Sequence, residues 1–408
     1  MVRPQRFRKT AAVLALLVFV AGCAVFGGTP DKDGEESGNS SSENAIGRTI
    51  DAMTLDEKIG QLIIAGVEGA SPDRRARRMI AEQHVGGVIF YKDNLVSPEE
   101  TVVYVNSLRA WNGANKAPLM LSVDQEGGIV SRLPGLERLP DAVAIGETGQ
   151  PAFAGAVGEL LARACTAFGF NLNFAPVLDI NSNPDNPVIG PRSFGATPEV
   201  VTQMGVAEMK AIRDAGIIPV VKHFPGHGDT AVDSHLELPV VRKGLEQLRN
   251  FEWQPFAEAI RQGADAVMVA HILFPQLDGE FPSSLSRTII TDQLRGTLGF
   301  EGVVMTDDLT MGAIADHYGI GDAAVQAVEA GSDIVLVAHG YENVDRVVQA
   351  LKQSVNEGRL TEKRIDESVE RILQLKERYR LADKPVAIPE LDGINADIRA
   401  VLKQYRQG

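Results

Sequence analysis

Eight short apolar runs, each followed by a stretch with room for a helix, constrain this chain's fold more than any other feature. The runs occupy residues 61–65, 85–90, 119–123, 171–174, 217–221, 266–269, 302–306 and 333–337. Between them, segments such as 98–111, 152–168, 198–215 and 245–262 have helical length and spacing. Repeated strand and helix units produce parallel strands, and eight of them predict an α/β fold of the closed (β/α)8 type. An open, doubly wound sheet is the structural rival. Beyond the last run, 343–353 and 362–379 read as closing helices, which leaves too few residues for a second domain. A single domain is therefore expected over 46–385, with 386–408 as a C-terminal tail or helix.

The polar residues favour the barrel. Asp124 follows the third run, Asp179 the fourth, Lys222 and His223 the fifth, His271 the sixth, Asp307 the seventh and His339 the eighth. A closed barrel turns all of these strand ends toward one rim, so residues far apart in the chain converge on one cavity. A lone histidine such as His271 or His339 at a strand end is more often structural than catalytic. The set carries the signal.

The densest chemistry lies in residues 222–235, KHFPGHGDTAVDSH, directly after the fifth run. This stretch holds a lysine, three histidines and two aspartates. His227, Asp229, Asp233 and His235 are of the right types to ligate a metal. Gly226 and Gly228, however, suit a pliable, moving loop better than a fixed cage. No metal or other cofactor is expected.

Composition excludes some partners. The net charge of −14 argues against a phosphate backbone, because nucleic-acid binding draws on clustered positive charge. The one basic cluster, Arg74, Arg75, Arg77 and Arg78, reads as the solvated face of a helix. With 44% hydrophobic and 23% charged residues the chain has an ordinary globular composition.

The chain begins with a targeting pattern. Arg3, Arg6, Arg8 and Lys9 precede the apolar stretch 11–21, which is the length of a signal core and short for a spanning helix. Val20-Ala21-Gly22-Cys23 then resembles the bacterial lipobox, in which the cysteine receives lipid and becomes the new N-terminus. Residues 1–23 are accordingly expected to be a lipoprotein signal peptide, with Cys23 as the lipid attachment site and 24–45 as a flexible, Gly- and Ser-rich tether. The mature domain would sit outside the cytoplasmic membrane, anchored to it. Cys165 is the only other cysteine, so the fold must stand without an intrachain disulfide.

Five segments in order resemble family 3 of the glycoside hydrolases, in particular its β-N-acetylglucosaminidases of the peptidoglycan-recycling kind. They are VDQEGG at 123–128 with Arg132, NFAPVLDINSNPDNPVIGPRSFG at 173–195, KHFPGHGDTAVDSH at 222–235, VMVAHILFP at 267–275 and VVMTDDLTMGAI at 303–314. The resemblance implies a retaining mechanism with Asp307 as nucleophile, its neighbour Asp308 being the alternative that a structure must exclude. It implies His235 as general acid and base, oriented and charge-stabilised by Asp233. A histidine titrates near neutrality, so it suits both proton donation and later proton acceptance. The resemblance further implies that Asp124, Lys222 and His223 grip sugar hydroxyls, that Arg132 and Arg192 frame the deepest subsite, and that His271, beside the pocket, joins the substrate-binding residues. Asp179 and Asn181 are expected to brace the rim, with a structural and a ligand role both open.

The glycine-rich loop is expected to close over bound sugar and to stand away from Asp307 otherwise. Substrate-assisted cleavage by the acetamido group would call for an Asp-x-Glu pair at one strand end, and no such pair stands in a matching context. Expected substrates are muropeptides, GlcNAc-β-1,4-MurNAc disaccharides or chitooligosaccharides, cut from the non-reducing end. Two alternatives remain open at this point. A phosphorylase is one, since a histidine acid/base does not repel incoming phosphate; a non-catalytic sugar-binding lipoprotein is the other.

Overall fold

The computed structural model describes residues 45–406. Cys23, the signal pattern and all of the proposed tether except residue 45 lie outside that range. A helix at 45–52 leads into eight strands: β1 (Ile63–Gly66), β2 (Gly87–Phe90), β3 (Met120–Val123), β4 (Leu172–Asn173), β5 (Ile218–Phe224), β6 (Ala266–Val269), β7 (Val303–Asp308) and β8 (Ile334–Val337). Every strand pairs with its sequence neighbours in parallel, and β1 pairs with β8 through Ile63↔Val335, Ile64↔Leu336 and Ala65↔Val337. The sheet is a closed (β/α)8 barrel, and the open-sheet rival falls with that last pairing.

Closure puts both faces of each strand in a dry environment. The inner residues fill the barrel, and the outer ones meet the helices, so Ile63, Ile64, Val88, Leu121, Val220, Val267, Val304 and Val335 are all buried. Helix starts follow local chemistry. Thr54 caps Leu55–Gln61 in a capping box with Glu57, and Ser97 caps Pro98–Asn112 with proline in the first turn. The helix Pro151–Phe168 ends at Gly169, whose φ of 86° needs a residue without Cβ.

The stretch 245–262, expected as one helix, is two: Leu245–Asn250 and Gln254–Arg261. Pro255 cannot donate within a helix interior but fits its first turn, so the chain breaks ahead of it. The break turns Trp253 into the core and lets Glu252 pair with Lys243. Strands β5 and β7 also run farther than the apolar runs. Lys222, His223, Asp307 and Asp308 belong to strands, because neighbouring carboxylates, cations and amides satisfy their polar groups.

Past β8, Tyr341–Asn356 and Glu362–Arg378 complete the outer layer, and Lys376 reaches the barrel floor, donating to Gln61 Oε1 (2.7 Å) and the Gly86 carbonyl (3.0 Å). The last helix, Leu391–Arg406, packs on Pro151–Phe168 through Ile394, Ile398 and a stacked Phe153–Tyr405 pair 4.7 Å apart. Among the described residues no helix is long and apolar enough to cross a membrane.

One buried carboxyl makes the stability of the domain depend on pH. Glu208, on the helix Pro198–Asp214, is 3% exposed, and burial together with the negative charge of Glu126 pushes it up to about 8. A carboxyl raised on folding leaves the unfolded chain binding fewer protons than the native one, so stability falls as pH rises from 4.5 through about 8. Glu208→Gln should therefore stabilise the domain by on the order of 4 kcal/mol at pH 8 and leave it unchanged below pH 4. Urea melts of both proteins at the two pH values test this. A pH-independent difference would contradict it.

Candidate active site

The site is assembled at the C-terminal ends of the strands. Asp124 leaves β3, and two residues later Glu126 sits on the same side of the extended chain. Between them and β5 lies a compact charge cluster. Lys222 Nζ donates to Asp124 Oδ1 (2.6 Å) and also meets Glu126 Oε1 (2.7 Å). Arg192, at the end of the turn Gly190–Arg192, grips Glu126 with two bonds, Nη2 to Oε1 at 2.7 Å and Nε to Oε2 at 2.9 Å. Burial pushes the Glu126 carboxyl up, but the Arg192 and Lys222 cations outweigh it and hold the group well below the usual carboxylate range. Lys222 is held charged in return, its burial opposed by Asp124 and Glu126.

A second cluster forms one strand over. Beyond β4 the chain touches β5 again, Val177 bridging Lys222, and this carries the fully buried Asp179 beside His223. His223 donates from Nδ1 to Asp179 Oδ2 (2.6 Å), and the His227 backbone N–H donates to Asp179 Oδ1 (2.6 Å). Burial acts to raise Asp179, yet the His223 and His227 contacts bring it below its ordinary value. The fixed tautomer leaves His223 Nε2 free toward the cavity.

The two adjacent aspartates of β7 differ in their surroundings. Asp308 is consumed by structure: its Oδ1 accepts from the Thr310 and Ala338 backbone N–H groups at 3.0 and 2.9 Å, and its Oδ2 accepts from Thr310 Oγ1 at 2.5 Å. Asp307 points into the cavity and accepts a single bond, from the Asp308 N–H at 2.8 Å. Burial would raise its carboxyl, but the His223 and His271 rings, that amide and His235 bring it down to about 2. An ionised carboxylate with most of its lone pairs unused can attack an electrophilic carbon.

Over these strand ends lies the loop that follows β5. Its two glycines are required by packing rather than by motion. Gly226 has φ 122°, and a Cβ at Gly228 would stand 1.7 Å from the Ile180 carbonyl oxygen. The loop is docked, with the Gly312 and Ala313 N–H groups donating to the His235 and Ser234 carbonyls at 3.0 and 3.2 Å. The expectation that it stands off from Asp307 is not met, because these backbone bonds tie it to the turn that follows β7. His235 donates from Nδ1 to Asp233 Oδ1 (2.7 Å), so its Nε2 is unengaged, and the ring is 61% exposed at the mouth. Burial acts to raise the Asp233 carboxyl, but the His235 backbone N–H and ring together outweigh it and keep the group a carboxylate below its ordinary value.

Together these groups line a cavity of about 770 Å³, part of it open to solvent, with Ile89, Phe174, Met268 and Leu336 among its apolar walls. Of the residues singled out from the sequence, Asp124, Arg132, Arg192, Lys222, His223, His235 and Asp307 face it, with Asp233 behind His235. His271 does not. Its Nε2 donates to the Asp308 carbonyl (2.9 Å), its Nδ1 accepts from Ser284 Oγ (2.7 Å), and the ring is 0% exposed, so it braces the β7 end from behind. His271 thus stands beside the pocket, behind Asp307, but has no ring nitrogen for a ligand, and its assignment to the substrate-binding residues is corrected.

Three polar lining residues escaped the sequence reading, Tyr91, Glu126 and Ser234, and His227 entered it only as a possible metal ligand. Glu126 had a legible signal in the spacing Asp124-Gln125-Glu126. This is an Asp-x-Glu pair at a strand end, contrary to the expectation that none stands in a suitable context. Its chemistry is nevertheless wrong for substrate assistance, since Glu126 is clamped between two cations and stays ionised. The metal-ligand types of the loop do not gather either: His227 bonds Thr230 and Ser234, and Asp229 pairs with Lys243. Among the described residues no group of three or more His, Cys, Asp or Glu side chains is placed to hold a metal ion.

Residues 54–375 match the glycosyl hydrolase family 3 N terminal domain. The chain is 33% identical to β-hexosaminidase LpqI of Mycobacterium tuberculosis over 388 residues, covering 91% of this chain and 97% of that one. It is 34% identical to β-hexosaminidase A of Pseudoalteromonas piscicida over 335 residues, 76% of this chain but 56% of the longer relative. The structure of a family 3 β-N-acetylglucosaminidase from Paenibacillus sp. str. FPU-7 superposes with a TM-score of 0.83 at 43% identity, covering 86% of this chain and 69% of that one. A barrel whose rim joins an ionised aspartate, an Asp–His pair and a cation-rich floor, matched over nearly its whole length, belongs to glycosyl hydrolase family 3.

Proposed function

We propose that this protein is a retaining exo-β-N-acetylglucosaminidase that forms a covalent glycosyl ester on Asp307, with Asp233 and His235 as its acid/base dyad. One observation carries the reading: Asp307 and His235, from separate barrel segments, face the same cavity, the first ionised and the second with a free ring nitrogen. The relatives named β-hexosaminidase and β-N-acetylglucosaminidase supply the sugar class.

In the first step a proton moves from His235 Nε2 to the glycosidic oxygen, a carboxylate oxygen of Asp307 bonds to the anomeric carbon, and the aglycone alcohol leaves. In the second step the neutral imidazole takes a proton from water, whose oxygen displaces Asp307. Asp233 holds the Nδ1–H throughout and stabilises the imidazolium. Asp124 and Lys222 are the groups for sugar hydroxyls at the floor, framed by Arg132 and Arg192. Arg132 Nε is buried with no partner among the described residues, so a ligand oxygen there would satisfy it. A sugar lacking the matching hydroxyl would leave such groups unpaired, and discrimination follows from that.

The experiment is hydrolysis of 4-nitrophenyl β-N-acetylglucosaminide by the 45–408 domain in phosphate buffer. Release of free GlcNAc is expected, whereas accumulation of GlcNAc 1-phosphate would identify a phosphorylase. Sugar binding without turnover would identify a carrier. His235→Ala should lower kcat on this substrate by about 10²-fold, read by chromophore release.

We also place the protein outside the cytoplasmic membrane, tethered by lipid on Cys23, where it meets GlcNAc–MurNAc fragments, muropeptides or chitooligosaccharides. The basic N-terminal segment, the apolar stretch and the Val-Ala-Gly-Cys sequence support this. Cys23→Ala should move the protein from the membrane to the soluble fraction and abolish labelling by radioactive palmitate. Retention at the membrane would remove the anchor from the account.

A further inference from the structure

We propose that His227 and Ser234 form a latch that holds the acid/base loop over the reacting centre, His227 being a positioning residue that acts on His235 through Ser234. The proposal rests on the reading of His235 as the proton donor. It adds what keeps that donor in place.

His227 lies just beyond β5 and is 1% exposed, and Ser234, between Asp233 and His235, is also 1% exposed. The imidazole is bonded at both nitrogens: Nδ1 lies 2.9 Å from Thr230 Oγ1, and Nε2 lies 2.9 Å from Ser234 Oγ. A neutral imidazole offers one N–H and one lone pair. Each hydroxyl can donate or accept, so both bonds form whichever nitrogen carries the proton. Burial and the neighbouring His223 keep the ring neutral by bringing it down to about 4.

The foot of the latch is rigid. The His227 N–H donates to the buried Asp179, and Asn186 Nδ2 donates to the His227 carbonyl (2.9 Å) and to Thr230 Oγ1 (3.1 Å). Asp179 in turn holds His223. One buried network thus fixes both a floor histidine and the residue that grips the loop. The head of the latch is less well held. Asp233 and His235 are 32% and 61% exposed, and His235 bonds only within the loop and to the Gly312 amide. With Ser234 Oγ gone, the Asp233–His235 pair would be tied to the turn after β7 by the Gly312 and Ala313 backbone bonds alone. The imidazole's reach to a leaving oxygen would then vary, and proton transfer tolerates little misplacement.

A positioning residue for a proton donor has a signature that a packing residue lacks. Its loss should matter in proportion to the leaving group's need for a proton. Ser234→Ala, Ser234→Thr, His227→Gln and His235→Ala are compared with the unaltered protein on 2,4-dinitrophenyl and 4-nitrophenyl β-N-acetylglucosaminides and on N,N′-diacetylchitobiose. For Ser234→Ala and His227→Gln, kcat/KM on the chitobiose should fall at least about tenfold while kcat/KM on the dinitrophenyl glycoside stays within about twofold. Their kcat on the dinitrophenyl glycoside should also fall, because hydrolysis of the ester needs the base. Ser234→Thr should restore the unaltered pattern.

An equal fall on all three substrates would overturn the latch and make the pair a packing element. So would a steep leaving-group dependence in His235→Ala accompanied by none in Ser234→Ala and His227→Gln. Absence of that dependence in His235→Ala itself would overturn the dyad, and the latch with it.

Discussion

Replacing Asp307 with alanine is expected to lower kcat on 4-nitrophenyl β-N-acetylglucosaminide by about 10⁴-fold or more, with the fold intact. The size follows from what the side chain would do in both steps: it forms the bond to the anomeric carbon and is the group later displaced by water. Its carboxyl is brought to about 2, so it is fully ionised wherever the enzyme works. The fold should survive, because the buried polar contacts at this strand end belong to Asp308, which binds Thr310 and Ala338. Asp308→Ala should accordingly destabilise the domain, orphaning two backbone donors. Steady-state kinetics and melting curves separate the pair. A slow fluoroglycoside substrate should also leave one sugar mass on the peptide that contains Asp307. Mass on any other residue, or robust turnover by Asp307→Ala, would overturn the mechanism.

Glu126→Ala is expected to cost about 3–5 kcal/mol of stability and most of the activity together. Glu126 takes two bonds from Arg192 and one from Lys222, so its removal leaves two buried cations facing each other with Asp124 as the remaining counter-charge. The cations would then spread, and the sugar-gripping floor they form would lose its geometry. Glu126→Gln keeps the shape and one acceptor oxygen but not the charge, and should fall between alanine and the unaltered protein in both stability and kcat/KM. Thermal melts with kcat/KM for all three proteins test the ordering. A stable, fully active Glu126→Ala would show that Asp124 alone suffices.

Much of this site was legible before the structure, for a definable reason. Asp124, Lys222, His223 and Asp307 lie at or beside the ends of apolar runs, and in a barrel the end of a parallel strand is the rim. What stayed hidden lay in residues whose meaning depends on a partner. His271 looked like a rim residue of the same kind, yet the turn that carries Ser284 and the Asp308 carbonyl captures both of its nitrogens. Glu126 stood two residues from Asp124 in plain view, but its role exists only because β5 brings Lys222 and the turn at Gly190–Arg192 brings Arg192 to the same carboxylate. Gly226 and Gly228 read as pliable. In the fold they are tight contacts against Glu252 and Ile180.

The sequence alone determined the alternation of strand and helix, the number of repeats and the supply of chemistry at their ends, because these follow from local periodicity and from side-chain type. Tertiary structure decided which acid of the β7 pair is free, which histidines are spent on structure, and how far β5 and β7 run into polar sequence. Those outcomes turn on desolvation and on partners brought by other strands. A charged residue can stand in a strand only if something distant in the chain satisfies it, and the residue's own neighbours in sequence carry no record of that.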